Sequence, residues 1–290
     1  MGLLENIKEI KLTNVEKQIG DFILKSPQLV LELSTREFAQ MVYTSPTAIV
    51  RFCHKLGSQG FPQFKIQLAS ELSTITSEME FLDNNPIKQN DSIYKIIHTV
   101  EKLEYLAISD TANALDYKVV EKVIPLLDKA EQIDFYGSGV NLHIAQELTY
   151  LLMRVGKKAY VSDSTNVRLT QAFSSKENHI AIILSHTGET QKYIDIVNIL
   201  NEKKTMTISL TGYIDSTIAK LTNYHFYVRP GRRFKDMGPV VFSTSTRYVL
   251  YVLFASLFAH NYSDSVKKSD EYAKLANYEL QIKDENEREE

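Results

Sequence analysis

The sequence predicts an all-α helix-turn-helix domain followed by an α/β domain with a five-stranded parallel sheet flanked by helices. Three observations lead to this fold class. Two short amphipathic patterns follow one another between residues 33 and 57. From residue 132 onward, short apolar runs alternate with helical patterns, which is typical of a parallel sheet covered on both faces. The length of 290 residues suits about two domains.

The N-terminal domain begins with a helix predicted from Thr13 to Lys25. The first helix of the helix-turn-helix follows it. Ser34 or Thr35 can cap this helix, and Glu37 in the first turn favours its N-terminus. Its apolar residues recur at helical spacing and are Phe38, Met41 and Val42.

The second helix of the motif starts after a break at residues 43–44. Ser45 is a good N-cap, Pro46 suits the first helical position, and Gly57 ends the helix. Two short helices joined by a tight turn predict that the second is a recognition helix. One face of it is apolar and consists of Ile49, Phe52, Cys53 and Leu56.

The charge of this segment suits nucleic acid, although the whole chain has a formal net charge of −3. No acidic residue occurs between Glu37 and Glu71. A local basic face on a nearly neutral protein is compatible with specific DNA binding, and the alternative is a plain helical bundle. The candidate DNA-binding residues lie off the apolar face or in this acid-free window and are Ser45, Thr47, Ala48, Arg51, Lys55 and Lys65.

Composition narrows the class of protein further. Hydrophobic residues make up 43% of the chain, enough for a sizeable core. The single cysteine, Cys53, excludes an internal disulfide and suits a reducing compartment, so we expect a cytoplasmic protein. The N-terminus has no signal-peptide pattern, and the longest apolar run, Tyr248–Ala259, is shorter than the roughly 20 residues of a membrane span. No metal-ligand spacing occurs, and we expect neither a metal nor a cofactor.

Breaks in these patterns divide the chain into four parts. We predict a DNA-binding domain over residues 1–75, a polar linker over 76–91, a ligand-binding domain over 92–280 and an acidic, solvated tail over 281–290. The second domain is expected to begin with a long helix capped by Ser92, whose apolar face includes Ile93, Ile97 and Leu103. A second helix is predicted around Tyr117 to Leu127.

The alternating part of the chain contains five candidate strands and the helices between them. The strands are Gln132–Tyr136, Lys158–Val161, Ile180–Leu184, Thr205–Leu210 and Tyr224–Val228. The helices are Asn141–Val155, Thr190–Asn201 and Ser216–Leu221, with a loop and a short helix within 163–173.

The first strand ends in Gly137-Ser138-Gly139, and Asn141 follows it. A dinucleotide-binding fingerprint would require a third glycine at the position of Leu142, so that class of site is not supported. The motif alone is also compatible with an ordinary strand-to-helix turn. Asn141 can donate from its amide to a ligand.

The third strand runs into a hydroxyl-rich loop that opens a helix, with the pattern Ser-x-Thr-Gly-x-Thr. Free backbone N–H groups and the helix dipole favour an anion at such a position, and hydroxyls add donors without a permanent charge. The loop consists of Ser185, His186, Thr187, Gly188, Glu189 and Thr190.

These motifs resemble the RpiR family of bacterial transcriptional regulators, in which a helix-turn-helix precedes a sugar isomerase (SIS) domain. The resemblance rests on residues 45–57, on Gly60-Phe-Pro-Gln-Phe-Lys65 and on the two loops, and covers nearly the whole chain. It implies homodimers or homotetramers on a palindromic DNA operator, with a phosphosugar as effector. The implied phosphosugar-binding residues are Gly137, Ser138, Gly139, Asn141, Ser185, His186, Thr187, Gly188, Glu189 and Thr190.

Two alternatives share the phosphosugar loops. An aldose–ketose phosphosugar isomerase requires a general base, but the position of the glutamate in glucosamine-synthesising SIS enzymes is Val240 here. We therefore expect no enzyme, with Glu189 orienting its loop. A kinase-regulator-like protein that binds a sugar phosphate and a partner protein would leave the helix-turn-helix unexplained.

Overall fold

The computed structural model describes residues 3–83, 86–231 and 237–289. The chain divides into two compact units, Met1–Phe81 and Leu82–Glu290. Of the segment predicted as a linker, the first part belongs to the helix that ends at Asp83, and residues 84 and 85 lie outside the described residues. The segment predicted as an acidic tail belongs, up to Glu289, to the last helix.

The first unit contains six helices in its described residues. Its core combines Phe38, Phe52, Phe61 and Phe64 with aliphatic side chains from the other helices. The helices are α1 (Leu3–Glu9), α2 (Asn14–Lys25), α3 (Pro27–Glu32), α4 (Thr35–Met41), α5 (Pro46–Lys55) and α6 (Phe61–Asp83).

Local capping fixes the helix-turn-helix, which is formed by α4 and α5. Ser34 and Glu37 form a reciprocal capping box at the start of α4. The Ser45 hydroxyl accepts from the backbone N–H of Ala48 at 3.2 Å at the start of α5. The four apolar side chains predicted to form one face of α5 are buried, which confirms that orientation. Burial raises the pKa of Cys53 to about 12, so this thiol is a small apolar core group.

The second unit is a parallel sheet between two layers of helices, as predicted. Its strand order is β2-β1-β3-β4-β5, and every strand boundary lies within one residue of the prediction. The elements are α7 (Ile93–Ala114), α8 (Tyr117–Lys129), β1 (Gln132–Tyr136), α9 (Val140–Arg154), β2 (Ala159–Val161), α10 (Thr165–Ser174), β3 (His179–Ser185), α11 (Gln191–Glu202), β4 (Met206–Thr211), α12 (Thr217–Leu221), β5 (Tyr224–Tyr227), α13 (Gly238–His260) and α14 (Tyr262–Glu289).

Two separate apolar clusters cover the faces of this sheet. Helices α8, α9 and α13 pack on one face and α10, α11 and α12 on the other. The strand order reverses between β1 and β3, and ligands of open α/β sheets bind beyond the carboxyl ends of the strands at such a switch point. The two predicted ligand loops follow these two strands.

Helix α13 is the central helix of its layer. By length and composition alone it could cross a membrane, but 44% of its most apolar window is buried inside the fold. Val241, Val249 and Leu253 are buried, and the Ser245 hydroxyl donates to the carbonyl of Ala107 on α7 at 3.2 Å. Its apolar character is therefore explained by packing within this unit.

The predicted apolar face of α7 is only partly buried, which corrects the expectation from sequence. Leu103 and Ala107 are buried, but Ile93 is 72% exposed and Ile97 59% exposed. The periodicity is correct, and the first turns of the helix extend beyond the elements that cover its second half. These turns present an apolar strip to solvent.

Candidate functional site

A cavity of about 240 Å³ lies at the carboxyl ends of β1 and β3. Both predicted loops contribute to it, together with Tyr193 of α11 and Phe242 of α13. Its lining consists of Ser138, Gly139, Val140, Asn141, Leu184, Ser185, His186, Thr187, Thr190, Tyr193 and Phe242. A larger open groove of about 740 Å³ along β2 and α10 contains none of the predicted site residues.

Internal hydrogen bonds hold the loop after β3 in a tight turn. The buried Ser185 hydroxyl accepts from the N–H of Gly188 at 3.2 Å, and the Thr187 hydroxyl accepts from the N–H of Glu189 at 3.2 Å. Thr190 is the N-cap residue of α11, and its hydroxyl makes no capping hydrogen bond. The loop therefore brings its hydroxyls and a helix N-terminus to one side of the cavity, a favourable arrangement for an anion.

Gly188 is required by this turn for two reasons. Its φ is 69°, in the left-handed region that favours glycine. In addition, a Cβ atom there would lie 2.2 Å from the Ser216 Oγ. A side chain at this position would separate the two loops or break the turn.

The loop after β1 forms the opposite side of the cavity. Gly139 caps α9 with a φ of 57°, and Gly137 lies directly against Asn141. The Asn141 amide donates to the carbonyl of Leu184 at 3.2 Å, whereas its Oδ1 is buried and has no partner among the described residues. The sequence predicts that Asn141 offers a donor to a ligand. The atom left without a partner is an acceptor, while one of the two N–H groups joins the β1 loop to β3 and the donor role stays a prediction.

Two predicted residues make contacts that tie loops together. The Glu189 carboxylate accepts from the backbone N–H of Thr217 at 2.8 Å and from its hydroxyl at 2.7 Å, and it does not line the cavity. These hydrogen bonds lower the pKa of Glu189. His186 does line the cavity, where its ring packs against Phe242 at 4.5 Å between centroids and its Nε2 donates to the carbonyl of Pro230.

Two residues of the site, Tyr193 and Arg168, are not among those predicted from sequence. Tyr193 is 2% exposed and lines the cavity together with Ser138. Burial, the larger effect, raises the pKa of Tyr193, and the nearby Ser138 hydroxyl opposes it. Arg168 is 4% exposed and donates to the Tyr193 hydroxyl at 3.4 Å. Neither residue belongs to a recognisable sequence motif, and both are identified as part of the site only from their burial and contacts in the structure.

The recognition helix α5 presents part of the predicted DNA-binding set to solvent. Ser45, Thr47 and Arg51 are exposed, and Ala48 is half-buried. The Ser45 hydroxyl is used in capping, so only its remaining lone pair and its proton are available to another partner. Arg51 is the exposed guanidinium of this helix and the strongest candidate for a base contact.

The two predicted lysines make contacts within the first unit. Lys55 forms an ion pair with Glu16 at 2.7 Å and donates to the carbonyl of Lys11 at 2.8 Å. The Lys65 ammonium donates to the carbonyls of Leu31 and Leu33, at 3.0 and 3.1 Å, at the end of α3. The sequence does not reveal these contacts, because the partners are 32 to 44 residues apart along the chain. A role of either lysine on DNA stays a prediction.

No cluster of three or more His, Cys, Asp or Glu side chains suited to a metal ion occurs in the part of the chain that the structure describes. The cavity lining likewise contains hydroxyl, amide, imidazole and aromatic groups but no carboxylate among the described residues. The site is therefore built to bind through hydrogen bonds.

Comparison with known proteins agrees with both halves of this description. A model of the helix-turn-helix domain of the rpiR family matches residues 1–75, and a model of the SIS domain matches residues 126–258. A helix-turn-helix joined to an SIS domain defines a transcriptional regulator. The chain is 30% identical over 213 residues to an HTH-type transcriptional regulator of Haemophilus influenzae, covering 73% of this chain and 74% of that protein. The chain belongs to the RpiR family of transcriptional regulators.

Solved structures confirm the fold. The Vibrio vulnificus NanR protein complexed with ManNAc-6P matches 94% of this chain and 97% of its own, with 22% identity and a TM-score of 0.58. The sugar isomerase domain of an RpiR transcription factor from Sphaerobacter thermophilus matches 62% of this chain and 99% of its own, with 14% identity and a TM-score of 0.55.

Proposed function

We propose that this regulator binds a phosphosugar in the cavity between the β1 and β3 loops and that the ligand changes its affinity for operator DNA. One observation carries the proposal. The hydroxyl-rich loop of Ser185, Thr187 and Thr190 lies at a helix N-terminus and faces the Gly137–Gly139 loop across the switch point of the sheet. Hydroxyls and backbone N–H groups there suit the phosphate.

The rest of the cavity suits the sugar. The Asn141 Oδ1 is a buried acceptor without a partner among the described residues, and a sugar hydroxyl is a donor that would satisfy it. The volume of about 240 Å³ is below the roughly 300–1,000 Å³ of sites for drug-sized ligands and suits a smaller molecule. The phosphosugar named in the solved structure of the NanR protein, ManNAc-6P, supports this ligand class.

DNA binding is assigned to α5 and its flanks. Arg51 reads or contacts the major groove, with Ser45, Thr47 and Ala48 beside it, and Lys55 and Lys65 add positive charge. Helix-turn-helix regulators bind palindromic sites as dimers, so we propose a homodimer or homotetramer on a palindromic operator in the cytoplasm. The exposed Ile93 and Ile97 of α7 provide an apolar strip that a subunit interface would cover.

We further propose that the protein is a sensor and catalyses no isomerisation. Val240, at the position of the isomerase glutamate, cannot accept a proton. Glu189 is engaged with Thr217, and the His186 Nε2 is engaged with Pro230. Relatives named as HTH-type transcriptional regulators favour the same conclusion.

The test combines ligand screening with DNA binding. Thermal-shift screening of phosphosugars should reveal one that stabilises the protein, since a ligand at 100 times its Kd adds about 2.7 kcal/mol. Operator DNA recovered by in vitro selection should then bind with an affinity that this ligand changes by roughly 5- to 150-fold, and by linkage DNA should change the ligand affinity by the same factor.

Two variants decide whether the cavity is the effector site. Ser185→Ala with Thr190→Val should still bind the operator but lose the effector response. Thr170→Val with Ser174→Ala, which alters exposed hydroxyls of α10 away from the cavity, should respond like the wild type. An unchanged response of the first double variant would place the ligand elsewhere.

A further inference from the structure

Arg168 is a buried cation behind the wall of the cavity. Its guanidinium donates from Nε to the carbonyl of Ser162 at 3.1 Å, from Nη2 to the carbonyl of Asp163 at 2.8 Å and from Nη1 to the Tyr193 hydroxyl at 3.4 Å. All three acceptors are neutral. Within residues 3–83, 86–231 and 237–289, no carboxylate forms an ion pair with it.

This charge lacks the compensation that a buried cation normally has. Taking a guanidinium out of water is costly unless hydrogen bonds and an opposite charge replace its hydration. Two carbonyl dipoles supply part of the replacement here. An anion bound nearby would supply the rest, and the cavity is the open space that one of the three partners of Arg168, Tyr193, lines.

Hydrogen-bond direction connects Arg168 to the cavity. A guanidinium only donates, so the Tyr193 oxygen must accept from it. The Tyr193 proton is then directed away from Arg168, towards the cavity that Tyr193 and Ser138 both line. Ser138 in turn directs its own proton to a ligand oxygen. A chain of donors that starts at a positive charge is polarised, and each member becomes a better donor to an anion.

We propose that Arg168 is the charge-selecting positioning residue of this cavity and that, through Tyr193 and Ser138, it favours a dianionic phosphate monoester over monoanionic or uncharged ligands. The inference deepens the proposed function and rests on it. It assigns the discrimination of charge to a residue that never touches the ligand. Recognition of the sugar is attributed to Asn141 and its neighbours in the cavity.

The experiment uses inorganic phosphate as the probe and the full-length protein. Phosphate affinity is measured by calorimetry between pH 5.5 and pH 8 for the wild type, Arg168→Gln, Arg168→Lys and Tyr193→Phe. Wild-type affinity should rise as the dianion forms, since the second pKa of inorganic phosphate is about 7, roughly one unit above that of a monoester, and lies within this range. Arg168→Gln should lose about 10- to 100-fold at pH 8, the range for a hydrogen bond to a charged group, and should lose the rise with pH. Arg168→Lys should retain the rise, and Tyr193→Phe should weaken it.

A structural role alone would alter stability and leave the pH profile of binding unchanged. Tyr193→Phe preserves the apolar packing of the side chain and serves as the second variant if Arg168→Gln does not fold. If Ser185→Ala with Thr190→Val abolishes phosphate binding, the cavity is the binding site. An unchanged affinity and pH profile in Tyr193→Phe or Arg168→Gln would then overturn the inference about Arg168 alone. Phosphate binding that this double variant retains, or that the wild type lacks, would overturn the proposed site and this inference together.

Discussion

The Glu189 carboxylate caps helix α12 through Thr217, with one oxygen on the backbone N–H at 2.8 Å and the other on the hydroxyl at 2.7 Å. The same two loops meet again where Ile218 donates its N–H to the carbonyl of Gly188 at 3.0 Å. A carboxylate at a helix N-terminus is favoured by the unpaired N–H groups and the dipole. Glu189 therefore positions the loop after β3, which separates its role from that of a catalytic acid or base.

Replacing Glu189 with Gln should loosen this connection and weaken phosphosugar binding without abolishing it. Because the Thr217 hydrogen bonds lower the pKa of Glu189, its contribution is present above the usual value of 4.5 and is lost as the pH falls below it. In the wild type the Thr217 amide resonance should therefore titrate with a midpoint below 4.5. A resonance that titrates identically in Glu189→Gln would contradict the contact.

Arg51→Ala should weaken operator binding by roughly 1–3 kcal/mol and relax the sequence preference at one position, if Arg51 contacts a base. Electrophoretic mobility shifts on the selected operator and on single-base variants measure both effects. Lys8→Ala is the matched control, because it removes one positive charge from an exposed position of α1, outside the helix-turn-helix. Equal losses of operator affinity in the two variants would show that Arg51 contributes only its positive charge and contacts no base.

The sheet can be predicted from sequence because each strand is a short segment rich in apolar or aromatic residues that ends at a turn. The bounds of β1, Gln132–Tyr136, agree with the prediction to the residue, and its loop is recognisable from its glycines. The starts of α4 and α5 can also be predicted, because the Ser34 and Ser45 hydroxyls accept from backbone N–H groups only three residues further along the chain. Helix α3 is absent from the prediction, because it has only six residues and begins directly after the preceding helix.

Contacts between distant parts of the chain cannot be predicted in this way. Lys65 is predicted to contact DNA because it lies in a segment without acidic residues. In the structure its ammonium donates to two carbonyls that are more than 30 residues away along the chain. Arg168 and Tyr193 meet only because α10 and α11 pack on the same face of the sheet. Residue type and spacing predict which loops carry a site, and the tertiary fold decides which side chains complete it.

The Glu16–Lys55 ion pair makes a further prediction about the DNA surface. Glu16→Gln should release the Lys55 ammonium for a phosphate, tighten DNA binding and steepen the dependence of log K on log salt by about 0.9. Glu9→Gln on α1 changes the net charge equally and is the control. A steeper salt dependence that persists in Glu16→Gln combined with Lys55→Ala would rule out Lys55 as the added contact.

The same pair predicts how this domain responds to acid. The hydrogen bond from Lys55, followed by that from the Thr13 backbone, lowers the pKa of Glu16 to about 2. A depressed carboxyl pKa adds stability above its usual value of 4.5, and this contribution is lost as the pH falls towards 2. The stability of Glu16→Gln, measured by denaturant unfolding, should therefore approach that of the wild type at about pH 2 to 3. A constant difference between the two from neutral pH down to about pH 2 would contradict the shifted pKa.

The absence of isomerase chemistry can be tested at the step that such chemistry requires. An aldose–ketose isomerase removes a proton from carbon, so in heavy water it exchanges that proton for deuterium even when little product accumulates. The protein lacks a carboxylate at Val240, and the two titratable residues of the β3 loop, Glu189 and His186, are held by Thr217 and Pro230. Fructose, glucose, glucosamine and N-acetyl sugar phosphates should therefore show no deuterium at the first or second carbon by NMR after long incubation. Exchange in the wild type that disappears in Ser185→Ala with Thr190→Val would show that the cavity is an active site, and the sensor would then also be an enzyme.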